Sequence, residues 1–182
     1  IEQPDDAPAA VQAGAVGACV QKTSEAEALV AGGVTDIYIS NEVISLSKLE
    51  RVAHMARALE AKNGQISIAV DSVEGIRRLA AALDKVHASM RVFVEIDVGQ
   101  NRCGVQPGAP ALALAQEVLR HPQLHFAGLQ AYHGKAQHLR SAAARAEAIQ
   151  NVGQAVRSTR ALIEAAGMPV PLVTGAGTGT FI

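Results

Sequence analysis

Tryptophan is absent and aromatic residues make up 3% of the chain, so a core has to be built from Ala, Val, Leu and Ile rather than from rings. Neither sign of charge dominates. Sixteen Lys and Arg face seventeen Asp and Glu, and the net charge of −1 offers no basic field to nucleic acid or to an anionic membrane. No apolar run reaches the roughly 20 residues of a membrane span. The opening IEQPDDAPAA is too acidic and polar for a secretory signal. Only two cysteines occur, Cys19 and Cys103, far apart in the chain. Two buried thiols in a reducing cytoplasm are expected rather than a disulfide framework. Linkers and low-complexity stretches are lacking too. What remains is 182 residues, 49% hydrophobic and 18% charged, enough for one domain over 1–182 with a sizeable core.

Short β-rich runs alternate with longer helical segments. The runs are AVGACV (15–20), DIYIS (36–40), QISIAV (65–70), VFVEID (92–97), FAGLQAY (126–132) and PLVTG (171–175). Between them, SLSKLERVAHMARALEAKNG places Leu46, Leu49, Val52, Ala53, Ala56 and Leu59 on one helical face. The pairs Ser24 with Glu27, Ser47 with Glu50 and Asp71 with Glu74 read as capping boxes. Gly32-Gly33, Asn63-Gly64 and Gly167 read as helix stops. This alternation predicts parallel strands joined by crossover helices.

Two α/β architectures fit, an open doubly wound sheet and a (β/α)8 TIM-type barrel. Nearly every strand ends in polar residues: Gln21-Lys22, Ser40-Asn41-Glu42, Asp71-Ser72, Asp97 onward, Tyr132 to Lys135, and Thr174-Gly175. A barrel gathers all its strand ends around one mouth, whereas an open sheet concentrates function at one switch point. The barrel is therefore expected. A complete one takes about 250 residues, so an incomplete barrel is expected, with the first strand and C-terminal elements missing. On that count the last visible strand is the seventh. Barrel phosphate sites commonly follow strands seven and eight. TGAGTGTF (174–181) stands there, with glycines that let backbone N–H groups approach an anion.

Two constellations carry the remaining chemistry. In VFVEIDVGQNRCGVQPG (92–108), Glu95 and Asp97 share a strand parity and hence a face, and Arg102 lies between Gly99 and Gly104. A tight loop is expected to hold that guanidinium beside the carboxylates. In AYHGKAQHLR (131–140), Tyr132, His133, Lys135, Gln137 and His138 crowd one strand end. Two histidines without a third ligand at a recognisable spacing favour proton transfer or substrate hydrogen bonding over a metal centre. His121 and His125, flanking Pro122, read as structural.

Four motifs in order, GAVGACVQKTSEAEALVAGGVTDIYISNEV (14–43), VEIDVGQNRCGVQPG (94–108), QAYHGKAQH (130–138) and TGAGTGT (174–180), resemble the D-threonine aldolase / D-serine dehydratase family. The resemblance runs over nearly the whole chain and is strongest toward the 3-hydroxy-D-aspartate and D-threonine aldolases. It implies an alanine-racemase-type barrel that binds pyridoxal 5′-phosphate, and lyase activity on small D-3-hydroxy amino acids. It also implies a divalent metal whose ligands are not in this chain, and a homodimer when complete. By the same resemblance Arg102 lies near the phenolate oxygen of the cofactor and Gln21 beside its ring. Tyr132 contacts the cofactor, and Gly177, Thr178, Gly179 and Thr180 cradle its phosphate. His138 approaches the substrate β-hydroxyl. The family's cofactor-bearing lysine is expected ahead of Gly14, and residues 1–13 contain none. The alternatives are a D-serine or D-3-hydroxyaspartate dehydratase, a non-catalytic pyridoxal-phosphate-binding barrel, and a plain phosphate- or nucleotide-binding α/β domain.

Overall fold

The computed structural model describes residues 6–175 and 177–180. Six strands form one sheet in the order β1 to β6, every neighbouring pair parallel. In chain order the elements are α1 (Asp6–Gln12), β1 (Ala18–Val20), α2 (Thr23–Ala31), β2 (Asp36–Ile39), α3 (Leu46–Glu60), β3 (Gln65–Val70) and α4 (Val73–Val86). There follow β4 (Met90–Glu95), α5 (Ala109–Leu119), β5 (Leu124–Ala131), a 3-10 turn (Gly134–His138), α6 (Ala142–Ala165), β6 (Leu172–Gly175) and a second 3-10 turn (Thr178–Thr180). Strand order equals sequence order, so the sheet has no reversal, which a doubly wound fold requires. Helices α2 to α6 each pack against the next one along the chain, a single layer on one side of the sheet. The result is an arc of an α/β barrel, with six strands among the described residues. No helix there is long and apolar enough to cross a membrane.

The alternation of each strand divides the structure into two compartments. Ile37 and Ile39, Ile66, Ile68 and Val70, and Val92, Val94 and Ile96 point to the helix layer and join the main apolar core. Leu49, Val52, Ala53, Ala56 and Leu59 of α3 meet them, each 0–1% exposed. Fully burying one such side chain contributes about 1.5–3 kcal/mol. The intervening positions face the concave side and are mixed in character: Cys19, Tyr38, Ser67, Phe93, Glu95 and Gln130. Tyr38 and Phe93 stack there in a tilted pair with ring centroids 4.9 Å apart.

The expected helix face on α3 is borne out except at Leu46, which is 61% exposed because it opens the first turn. The expected capping boxes shift by a residue or two. Helices α2, α3 and α4 start after Lys22, Ser45 and Ser72, not Ser24, Ser47 and Asp71. Ser72 Oγ accepts from Gly75 N–H at 3.2 Å, and Glu25 accepts from the Gln21 and Lys22 N–H groups at the head of α2. One glycine sets the geometry of the later strands. Gly128 has φ +137°, and a Cβ there would collide with the Leu172 carbonyl, so only glycine lets β6 pair with β5 at this point.

Candidate functional site

The strand ends surround a cavity of about 630 Å³, a size suited to a small ligand. Its wall is built from inward positions two residues apart on successive strands. β1 and its end supply Cys19 and Gln21, β2 supplies Tyr38 and Ser40, and β5 supplies Gln130 and Tyr132. Thr174, Gly175 and Gly177 close the far side, and Arg102 and Gln137 reach in from loops. Gln21, Arg102, Tyr132 and Gly177, all expected at the site, line this one cavity. His138 stands elsewhere, exposed at the end of the first 3-10 turn, while its neighbour Gln137 faces the cavity.

Hydrogen bonds tie the wall together. Gln21 Nε2 and Cys19 Sγ both donate to Ser40 Oγ, at 2.8 and 3.1 Å, and Asn41 Nδ2 donates to the Gln21 carbonyl at 3.4 Å. Deeper in, Tyr38 donates to Gln130 Oε1, and Gln130 Nε2 donates to Glu95 Oε2. Glu95 is 3% exposed. Burial, then the nearby Glu42 carboxyl, push its carboxyl up to about 8, outweighing Gln130 and the Arg102 charge. Burial is also the first cause holding the Tyr38 phenol protonated far above its ordinary range.

The loop after β4 resolves the oddity of its sequence. Asp97 Oδ1 accepts from the Gly99 and Asn101 N–H groups, both at 3.0 Å. Burial works to raise that carboxyl, but the backbone donors prevail and hold it below its ordinary value. Gly104, at φ +93°, lies where a Cβ would come within 2.7 Å of Asp97 N, and its N–H donates to Asp71 Oδ2 at 3.2 Å. The tight loop holds Arg102 near the strand carboxylates, where its charge acts on Glu95, but among the described residues it makes no ion pair within 4.0 Å. Asp97 spends its oxygens on the loop backbone instead, and that rigid loop positions an exposed guanidinium on the cavity wall.

Beside Glu95 lies a group the sequence reading missed. Ligand atoms of Glu42, Asp71 and Cys103 lie within 4.8 Å of one another. Among the described residues, neither buried Glu42 oxygen has a hydrogen-bond partner. Burial raises the Asp71 carboxyl and pushes the Cys103 thiol up to about 11, Glu42 adding to both. The sequence held only a weak signal, since Glu42 and Asp71 each sit just past a strand end.

The opposite side of the mouth is glycine and amide. Gly134 packs flush on the Tyr132 ring, where a Cβ would meet Cε1 at 2.9 Å. Gln137 Nε2 donates to the Tyr132 hydroxyl at 2.9 Å, and Gln137 Oε1 accepts from Gly179 N–H at 3.3 Å. The Thr178–Thr180 turn is closed internally. Thr180 N–H donates to the Gly177 carbonyl at 2.9 Å, and Gly177 N–H donates to Thr180 Oγ1 at 3.1 Å. The Thr178 side chain lies outside the described residues, as do Ala176, Phe181 and Ile182. This corner suits a phosphate: it offers backbone donors, side-chain-free Cα atoms, and a carboxamide oxygen already standing where an anion oxygen would. The two loops also touch. His133 packs over Gly99, and Lys135 N–H donates to Gln100 Oε1 at 2.9 Å. No described lysine is part of the wall.

Residues 5–182 match the model of the alanine racemase N-terminal domain. The chain belongs to that family. It is 42% identical over 167 residues to D-threonine aldolase from an Arthrobacter species, covering 92% of this chain and 43% of that protein. It is 36% identical over 168 residues to 3-hydroxy-D-aspartate aldolase from Paracoccus denitrificans (strain Pd 1222), covering 92% and 42%. The crystal structure of D-threonine aldolase from Filomicrobium marinum superimposes with a TM-score of 0.92 at 40% identity, over 98% of this chain and 47% of the other. The chain therefore spans less than half the length of the relatives it matches. The half-barrel of this family is the architecture expected from the strand ends.

Proposed function

We propose that this chain is the cofactor-holding barrel portion of a pyridoxal-phosphate-dependent lyase that cleaves D-3-hydroxy amino acids to glycine and an aldehyde. The carrying observation is one cavity with two chemically distinct ends, an amide-lined glycine corner and a wall bearing Arg102. Likeness to two aldolases that act on D-3-hydroxy amino acids supports the substrate class. Glyoxylate from 3-hydroxy-D-aspartate and acetaldehyde from D-threonine are the products this predicts. The cofactor, when bound, supplies an electron sink for the bond-breaking step.

In this reading Gly177, Thr178, Gly179 and Thr180 form the phosphate cradle, with the Gly179 N–H as the donor that points out of the turn. Arg102 faces the phenolate oxygen, where a guanidinium fixes negative charge without titrating. Gln21, held by Ser40, and Tyr132 flank the ring and orient it. His138, exposed one residue beyond Gln137, is the proposed group that takes the β-hydroxyl proton. The divalent metal and a homodimeric assembly belong to the same proposal, the metal ligands lying outside this chain.

The test is product analysis with the full-length enzyme. Glycine plus aldehyde from D-threonine or 3-hydroxy-D-aspartate supports an aldolase. A keto acid with ammonia replaces it with a dehydratase. Cofactor binding without turnover of any D-amino acid leaves a carrier. Within the aldolase, His138→Ala is expected to lower kcat about 100-fold; unchanged turnover removes His138 from the reaction.

A further inference from the structure

The Gln137 carboxamide bridges two groups that the proposed cofactor would use. Its nitrogen donates to the Tyr132 hydroxyl at 2.9 Å, and its oxygen accepts from Gly179 N–H at 3.3 Å. It lies so close to Gly177 that a Cβ on that glycine would overlap all three carboxamide heavy atoms, Cδ, Oε1 and Nε2. A second acceptor cannot approach the Gly179 N–H while Oε1 is there. Among the described residues this amide is also the one in the turn that donates outside it. The Gly177 and Thr180 amides are used within the turn.

We propose that Gln137 is a phosphate-released latch on Tyr132, a positioning residue that makes the orientation of this tyrosine depend on an anion in the glycine corner. The proposal rests on the reading of that corner as a phosphate cradle. A charged phosphate oxygen accepts a hydrogen bond roughly twice as strongly as a neutral carboxamide, and the 3.3 Å bond is long. The anion therefore wins the Gly179 amide. The carboxamide has to leave the face of Gly177, and the Nε2 bond to Tyr132 breaks with it. The phenol, held at its edge by Gly134, is then free to hydrogen-bond into the cavity. A ligand without a phosphate leaves the latch closed, so the same side chain favours phosphorylated over unphosphorylated cofactor.

The chain contains two tyrosines and no tryptophan, so tyrosine emission reads the latch directly. Inorganic phosphate is titrated into the chain, into Gln137→Ala and into Gln137→Glu, with Tyr132→Phe identifying the responding ring. A saturable emission change that disappears in Tyr132→Phe is expected. Gln137→Ala is expected to bind phosphate about 2- to 10-fold tighter, the equivalent of one neutral hydrogen bond no longer in competition. Before any phosphate is added, its emission already matches that of the phosphate-saturated chain. Gln137→Glu, isosteric but anionic, is expected to bind more than about tenfold weaker. If Gln137→Ala binds equally or more weakly while phosphate still saturates the parent chain, the latch is wrong and the cofactor reading stands. If phosphate fails to bind any of them, the glycine corner and the latch fall together.

Discussion

At the ends of β2, β3 and β4 stand three carboxyl groups and a thiol, Glu42, Asp71, Glu95 and Cys103; burial first, and the neighbouring Glu42 carboxyl after it, raise Asp71, Glu95 and Cys103 toward their neutral forms. At the ends of β5 and β6 the mouth carries glycines, backbone amides and the neutral Gln137 and Tyr132. The second side lines the cavity, whereas the acidic cluster lies next to it behind Arg102 and Gln130, and the two invite opposite ligands. Backbone N–H donors favour an anionic group at the second side, whereas the acidic cluster at the first is made of acceptors. Under the proposed function, this contrast orients an elongated ligand with one phosphate end. Its anionic tail goes to the glycine corner and its other end toward Arg102 and the carboxyl side.

The comparison breaks most completely at Gly128. Gly128→Ala places a Cβ into the Leu172 carbonyl at a φ of +137°. A loss of about 3 kcal/mol or more is expected in urea unfolding, with phosphate binding lost alongside because β6 carries the corner. A stability change under 1 kcal/mol would show that the β5–β6 pairing tolerates more than this register allows.

The carboxyl side is tested through pH. Glu95 is raised in the folded state, so between the usual glutamate value and about 8 the folded chain holds a proton that the unfolded chain has released. Stability from this group is full below the unfolded value and falls as pH rises through that window. The slope approaches about 1.4 kcal/mol per pH unit for one proton. Glu95→Gln keeps a neutral partner for Gln130 and is expected to flatten the dependence. Parallel profiles for the two proteins would mean that Glu95 ionises normally. The smallest effect is expected at Arg102. Exposed and without an ion pair, Arg102→Ala should change stability by less than about 0.5 kcal/mol while weakening cofactor binding. A large loss of stability would make the arginine a structural element of its loop.

Much of this was legible in the sequence. Short β-rich runs identified the strands, and polar strand ends distinguished a barrel from a doubly wound sheet before any sheet order was known. The wall residues repeat the same rule two apart, Cys19 and Gln21, Tyr38 and Ser40, Gln130 and Tyr132, yet only the second member of the first and last pairs was singled out. A tyrosine in DIYIS reads as ordinary strand filling until the concave face is known to be a cavity. Gln137 rather than His138 turned inward because the 3-10 turn sets which residues share a face, and a loop sequence has no period to reveal it. The Asp97 role was misjudged for a related reason: parity placed its carboxylate, but the tight loop supplied backbone donors closer than Arg102.

The amino-acid order by itself determined the alternation of strand and helix, the apolar stripe of each, and the glycines that permit close backbone approach. These follow from local sterics and from the burial of repeating side chains. Only the tertiary structure decided which polar groups share an environment. Glu42, Asp71 and Cys103 come from three strand ends, and Tyr132, Gln137 and Gly179 from two loops. The hydrogen bonds among them, and the raised proton affinities of Asp71 and Cys103, depend on distances between segments far apart in the chain, which no local pattern records.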